Sequence, residues 1–228
     1  SLGAHITPSP FLGTAVMAPT ALKASGGQYD DLLAEIAAGT HRVGIAFSEA
    51  IKRRNDAQVE ARDGRLFGKS LFAFDSDADS YLVADQKQHL YLVAADDPGL
   101  TRTHLTTVDK TRRTVELTYD NAAAQSVSTD VRVFERVLDI GRVAIAADTM
   151  GAAQNMLDQA VEYAKQREQF NRPIGSFQAV KHMCAEMAAQ LEPCRSMVWF
   201  AGHALAELPE EARVCLLYTS DAADEGHG

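Results

Sequence analysis

The spacing of hydrophobic and polar positions changes twice along this chain. Over residues 29–38, Leu32, Leu33 and Ile36 fall on one face at helical spacing. Before them the sequence is Ala-rich and interrupted by Pro8, Pro10, Pro19 and the Gly26-Gly27 pair. This predicts one short helix and irregular chain over residues 1–42, too little to bury a core alone. From Val43 the period shortens. Residues 43–47 form an apolar run, and residues 58–62 and 65–67 flank Asp63-Gly64, a pair suited to the positive φ angles of a type I′ turn. Residues 81–84, 90–94, 101–106, 114–119 and 131–134 are further strand candidates, punctuated by Asp97-Pro98-Gly99 and Asp120-Asn121. Short strands at this spacing, without helices between them, predict an antiparallel barrel or sandwich.

At about Glu135 the period lengthens again. Ile140, Val143, Ala147, Met150, Leu157, Val161 and Ala164 repeat at helical spacing, among small residues that permit close packing. A polar loop then ends in Ser176, expected to cap a second helix carrying Phe177, Val180, Met183, Met187 and Leu191. Pro193 lacks an N–H and would crowd the carbonyl of Ala189, so a kink is expected there. Two long antiparallel helices make half a bundle. The predicted fold class is α+β and multi-domain: an antiparallel β-barrel-like middle domain over residues 43–135, then an up-down helical-bundle fragment over 136–214.

Composition narrows the function classes. Hydrophobic residues make up 46% of the 228 and charged residues 23%, ordinary for a globular chain. No stretch is long and apolar enough to predict a membrane span, and no signal peptide is evident. The three cysteines are odd in number and widely spaced, which argues against disulfides and zinc and for a reducing, cytoplasmic setting. The net charge of −9, with no basic stripe, argues against nucleic acid as a partner. Arg112, Arg113 and Arg167 remain able to hold a small phosphate ligand. The histidines show no metal-ligand spacing, and no metal is expected.

The run Tyr163-Ala-Lys-Gln-Arg-Glu-Gln-Phe-Asn-Arg-Pro-Ile-Gly-Ser-Phe-Gln-Ala-Val-Lys181 resembles the signature loop of acyl-CoA dehydrogenases, between the first two helices of their C-terminal domain. Residues 109–120 resemble the segment that closes the family's β-domain. Gly68-Lys69 and Ala78-Asp79 fall where the family has a Gly-x-Lys strand and an Ala-Asp turn. The resemblance implies FAD as cofactor, an acyl-CoA thioester as substrate and a homo- or hetero-oligomer that shares FAD across its subunit interface. It also implies an electron-transferring flavoprotein as acceptor. Residue by residue, it makes Arg167 the pyrophosphate partner and Gln169 a hydrogen-bonding neighbour. Phe170, Ile174 and Phe177 become walls of the cofactor site, with Gln178 near it, and Arg142 faces coenzyme A. Asn171 stands where the family usually has Gly; Asn tolerates the left-handed conformation.

The β-domain departs from the family pattern. Ser48-Glu-Ala-Ile-Lys-Arg-Arg-Asn-Asp56 stands in place of a Pro- and Gly-containing flavin-cradling loop; Ser48 and Glu49 survive from that pattern, Ser48 as a cofactor contact. Leu71 and Ala73 stand where Trp and Thr often meet the flavin ring. Loss of the glycines should obstruct close backbone approach. The family's α-proton base lies beyond this chain in most members; in others it precedes an Arg, a position held here by Gly141 before Arg142. No catalytic base is therefore expected in residues 1–228, and Glu135, Glu162 and Glu186 read as helix-surface carboxylates. The favoured expectation is a non-catalytic partner subunit of a heteromeric fatty-acid or sterol dehydrogenase. A complete enzyme with a divergent pocket, a flavin monooxygenase or oxidase on the same fold, and a cofactor-free helical interaction protein are the alternatives.

The final stretch, Cys215-Leu-Leu-Tyr-Thr-Ser-Asp-Ala-Ala-Asp-Glu225, has no counterpart in the family pattern. It resembles an in-frame translation of a transposase adapter used in sequencing libraries. Residues 215–228 are thus expected to be non-native, residues 1–42 to be the end of an N-terminal helical domain, and the whole to be a fragment.

Overall fold

The computed structural model describes residues 2–52 and 57–207. Among the described residues, those within 8–141 form one compact unit, and residues 2–7 with 142–207 the other. The first unit is built on one eight-stranded sheet. Its strands are β1 (Val43–Ala46), β2 (Val59–Arg62), β3 (Arg65–Phe74), β4 (Ser80–Ala84), β5 (Leu90–Ala94), β6 (Leu100–His104), β7 (Thr114–Ala123) and β8 (Gln125–Ser128). The spatial order is β6-β7-β3-β1-β4-β5-β8, with β2 paired to β3. All pairs are antiparallel except β1 with β4, in register Val43↔Ser80 to Ala46↔Val83.

The expected barrel is corrected by this topology: the sheet is an open path with β6 and β8 at its ends. Strand periodicity is the same in an open and a closed antiparallel sheet, so the pattern could not separate them. Both end strands are short, which limits the free edge they present. The run over residues 131–134 is likewise corrected from strand to helix, because α4 spans Val131–Gln166. Asp130 starts that helix: its carboxylate accepts the Arg132 N–H at 3.0 Å and its carbonyl the Val133 N–H at 3.0 Å. Asp120-Asn121 does not end a strand either; it lies within β7, where Asn121 takes φ 61.

Alternation along β4 shows how the core is divided. Leu82 and Ala84 join one buried cluster, with Val43, Ile45, Leu22, Tyr29, Phe134 and Val137. Tyr81 and Val83 join the other, with Val59, Leu66, Val93, Val115 and Leu117. Both faces of β1 and β4 are covered, which is why these strands read as unbroken apolar runs. The first cluster is roofed by α1 (Ala18–Lys23), by α2 (Asp30–Ala38) and by the start of α4. The opening segment is therefore more helical than its prolines suggested. Pro19 lies in the first turn of α1, where a missing N–H costs no hydrogen bond. Two glycines are fixed by close approach. A Cβ on Gly44 would lie 2.6 Å from the Phe74 carbonyl oxygen, and one on Gly68 (φ 104) 2.0 Å from that of Gln58.

Asp75, at φ 65, sits in the turn between β3 and β4. Burial pushes its carboxyl from the usual 3.8 up to about 6; Arg42 opposes this and Asp77 reinforces it. The folded state therefore holds the Asp75 proton at a pH where the unfolded chain has released it. The stability that this group contributes is present below about pH 4 and is lost as pH rises towards about 6. Asp75→Asn, which also tolerates a left-handed backbone, should raise stability at neutral pH by about 1–2 kcal/mol, allowing for solvent screening. It should also flatten the pH dependence of the urea midpoint between those limits. Superimposable profiles for the two proteins would refute it.

The second unit contains the remainder of α4 and α5 (Gln178–Glu207), with a small hairpin between them. The Arg195 guanidinium donates to Gln154 Oε1 at 2.6 Å, joining the two helices. Helix α5 runs on through Pro193. Asn155 Nδ2 donates to the Ala4 carbonyl at 2.6 Å, and Gly151 lets residues 3 and 4 lie against α4.

Candidate functional site

The connection between α4 and α5 is not a loose polar loop. Glu168–Gln169 (β9) pairs antiparallel with Arg172–Pro173 (β10), in register Gln169↔Arg172. The two residues between them, Phe170 (φ 53) and Asn171 (φ 60), are both left-handed, as a type I′ turn requires. Asn171 adopts that backbone readily; a bulky Phe170 does so at a cost of about 1–2 kcal/mol. Backbone bonds lock the base of the hairpin. Arg167 N–H donates to the Tyr163 carbonyl at 2.9 Å, and Ile174 N–H to the Arg167 carbonyl at 2.7 Å. A helical turn, Ile174–Ser176, leads into α5, whose first residue is Gln178. Among the described residues Ser176 makes no capping bond, contrary to expectation. The chain turns instead through Phe177, whose extended backbone leaves Ile174 O to accept the Phe177 N–H at 3.1 Å. Gly175 packs against the last turn of α4, where a Cβ would be 2.9 Å from the Ala164 carbonyl oxygen.

This geometry gathers six of the eight residues singled out by sequence. Arg167, Gln169, Phe170 and Gln178 are exposed, Ile174 and Phe177 half-buried. Phe170 is 86% exposed, yet it stands edge-on to Phe177 with centroids 6.1 Å apart. Arg172 was not singled out, and the structure places its Cζ 4.1 Å from the Phe177 centroid. Only the hairpin brings positions 172 and 177 together, so no helical or strand periodicity signals the pair. The Arg167 guanidinium makes no hydrogen bond or ion pair among the described residues. The hairpin and its flanks thus offer a cation, two amides and an aromatic surface suited to a planar, phosphate-bearing ligand.

The other two lie elsewhere. Arg142 is exposed on α4 and follows the buried Gly141. Ser48 belongs to the other compact unit and opens the short helix α3 (Ser48–Ile51). Its hydroxyl donates to Glu49 Oε2 at 2.7 Å, and Glu49 Oε1 accepts the Leu71 N–H at 2.9 Å. Glu49 is 4% exposed, a carboxylate whose burial no local sequence pattern signals. Ala73, on β3, is fully buried. Residues 53–56 of the divergent loop, and the whole stretch resembling adapter sequence, lie outside the described residues.

A separate cleft of about 480 Å³ in the β-rich unit is lined in part by His41, Arg65, Asp79, Ser80 and Gln125. His41 Nε2 lies 2.9 Å from Ser80 Oγ, and Nδ1 lies 3.4 Å from Glu35. Ser80 is 4% exposed, so these contacts fasten α2 to β4 and do not present a nucleophile. Among the described residues no His, Cys, Asp and Glu cluster could hold a metal, and no helix is long and apolar enough to cross a membrane.

An open mixed-strand sheet with helices, followed by two long helices joined by this hairpin, defines the protein class. Residues 131–226 match the family model for the acyl-CoA dehydrogenase C-terminal domain, a match that includes most of the stretch resembling adapter sequence. The chain is a member of the acyl-CoA dehydrogenase family. It is 32% identical to acyl-CoA dehydrogenase IpdE2 of Mycobacterium tuberculosis, over 97% of this chain and 59% of that protein. Among solved structures it is similar to the ChsE4-ChsE5 complex from Mycobacterium tuberculosis. That match has a TM-score of 0.80 and 26% identity, over 94% of this chain and 61% of that one. It is equally similar to the Tcur3481-Tcur3483 steroid ACAD, with a TM-score of 0.80 and 28% identity, over 91% and 59%. The chain thus spans about three fifths of the length of these relatives.

Proposed function

We propose that this chain is part of a cytoplasmic subunit of an FAD-dependent acyl-CoA dehydrogenase that acts as a heteromer. In this reading its hairpin serves a cofactor held largely by a neighbouring subunit. The carrying observation is the contrast between the two candidate flavin contacts. The Arg167 hairpin is shaped and exposed, whereas the Ser48 hydroxyl is turned onto the buried Glu49. Position 141 adds support: a Cβ there would lie 2.9 Å from Met17 Sδ, so this buried glycine leaves no room for a carboxylate beside Arg142 unless Met17 moves. Two of the similar structures carry paired names, ChsE4-ChsE5 and Tcur3481-Tcur3483, the second called a steroid ACAD. A steroid-derived acyl-CoA is accordingly the substrate class favoured here, with an electron-transferring flavoprotein as acceptor.

The residues present fit one side of FAD. Arg167 would hold the pyrophosphate, Gln169 and Gln178 would donate hydrogen bonds, and Phe170, Ile174 and Phe177 would wall the cofactor. When bound, FAD supplies the hydride acceptor for α,β-dehydrogenation of the thioester. The test is flavin content by absorbance. The full-length protein expressed alone should purify nearly free of FAD, and co-expression with a catalytic acyl-CoA dehydrogenase partner subunit should yield a flavin-bearing complex. Stoichiometric FAD on the protein alone would instead establish a self-sufficient enzyme.

A further inference from the structure

We infer that Arg172 is a positioning residue for the cofactor contact, an inference that rests on the functional reading above. The hairpin tip has an unfavourable feature at its centre, a phenylalanine in the left-handed conformation, mostly exposed to solvent. An exposed Phe170 would ordinarily relax from that backbone and sample many orientations. Phe177 opposes this by meeting Phe170 edge-on. Phe177 is in turn held from its face by the Arg172 guanidinium, 4.1 Å from the ring centroid. Arg172 also pairs with Gln169 across the two short strands, so its backbone is fixed by the hairpin that it braces. Its guanidinium has no hydrogen bond or ion pair among the described residues. The stack is thus the one role that the structure gives it.

The order Arg172, Phe177, Phe170 is a brace in which each group limits the next. It keeps an aromatic surface beside Arg167 before any ligand arrives, so less ordering is needed on binding. A planar guanidinium covers a ring face as a lysine ammonium does not. The contribution depends on Phe177 being aromatic, whereas simple charge attraction to phosphate would not.

The experiment measures FAD affinity by flavin fluorescence in the full-length complex. It compares wild type with Arg172→Ala, Arg172→Lys, Phe177→Leu and the Arg172→Ala/Phe177→Leu double variant. Arg172→Ala should weaken FAD roughly two- to fivefold, the worth of an exposed cation–π contact. Arg172→Lys should recover only part of this, and on the Phe177→Leu background Arg172→Ala should add almost nothing. Full recovery with lysine, or an undiminished effect on the Phe177→Leu background, would mean plain charge attraction and overturn the inference. No effect of Arg172→Ala, with Arg167→Ala still disruptive, would overturn it while leaving the functional reading intact. If Arg167→Ala is also silent, the functional reading itself fails.

Discussion

Arg167→Ala should weaken FAD binding by the assembled dehydrogenase roughly tenfold or more. The guanidinium is permanently charged and free of other partners among the described residues, and its backbone is fixed on both sides by bonds to Tyr163 and Ile174. A charge-assisted hydrogen bond between such a group and a pyrophosphate oxygen is worth about 1.5–3 kcal/mol, which gives that factor. Arg167→Lys should recover only part of the loss, because an ammonium cannot present two parallel N–H groups. Ser48→Ala should change affinity little, since its hydroxyl already donates to Glu49. Isothermal titration of the apo-complex with FAD separates these variants. Tight binding retained by Arg167→Ala and lost in Ser48→Ala would reverse the assignment and point to a flavin held within this subunit's own β-rich unit.

Phe134→Ala should destabilise the β-rich unit by about 3–5 kcal/mol. Phe134 is 2% exposed, and its ring lies 5.2 Å from that of Phe47 at 53°. Around it are Leu82, Leu90, Val127 and Val137 in one buried cluster. Truncation removes most of a large apolar side chain and leaves a hole that a sheet backed on both faces cannot readily collapse. Phe134→Leu, nearer in volume, should cost less than half as much. Urea unfolding followed by tryptophan-independent far-UV dichroism is the suitable measurement, because Trp199 lies in the other unit. A loss below about 1 kcal/mol would show that the first turns of α4 are not integral to this core.

These two residues also show what the sequence could and could not reveal. The Asp63-Gly64 turn was legible because each residue is suited to its backbone, φ 49 and φ 72. The turn at Phe170-Asn171 has the same backbone but was not legible as a hairpin, because phenylalanine is a poor occupant of the left-handed region. What marked residues 167–178 was their order and spacing as a family motif, and not any propensity. Residues 131–134 misled for the opposite reason. Val131 and Val133 alternate like a strand, while the deciding signal was Asp130, a helix-capping residue just upstream. Ser48 was legible from its place in the family pattern, but the burial of Glu49 was not, since nothing in a local window tells that Leu71 will supply an N–H from β3. Contacts set by long-range pairing are the ones that sequence reading left out.

The parallel pairing of β1 with β4 carries a consequence for the order of assembly during synthesis. β1 emerges early, but its neighbours in the sheet are complete only once the chain has been made through Phe74 for β3 and through Ala84 for β4. At ribosomal speeds of about 5–20 residues per second, that leaves an apolar strand waiting for seconds without a partner. The helices just before β1 are already synthesised and able to shelter it, since Met17, Ala18 and Leu22 belong to the same buried cluster as Val43 and Ile45. The opening helical stretch would then serve the nascent chain as a temporary cover, as well as roofing the finished sheet.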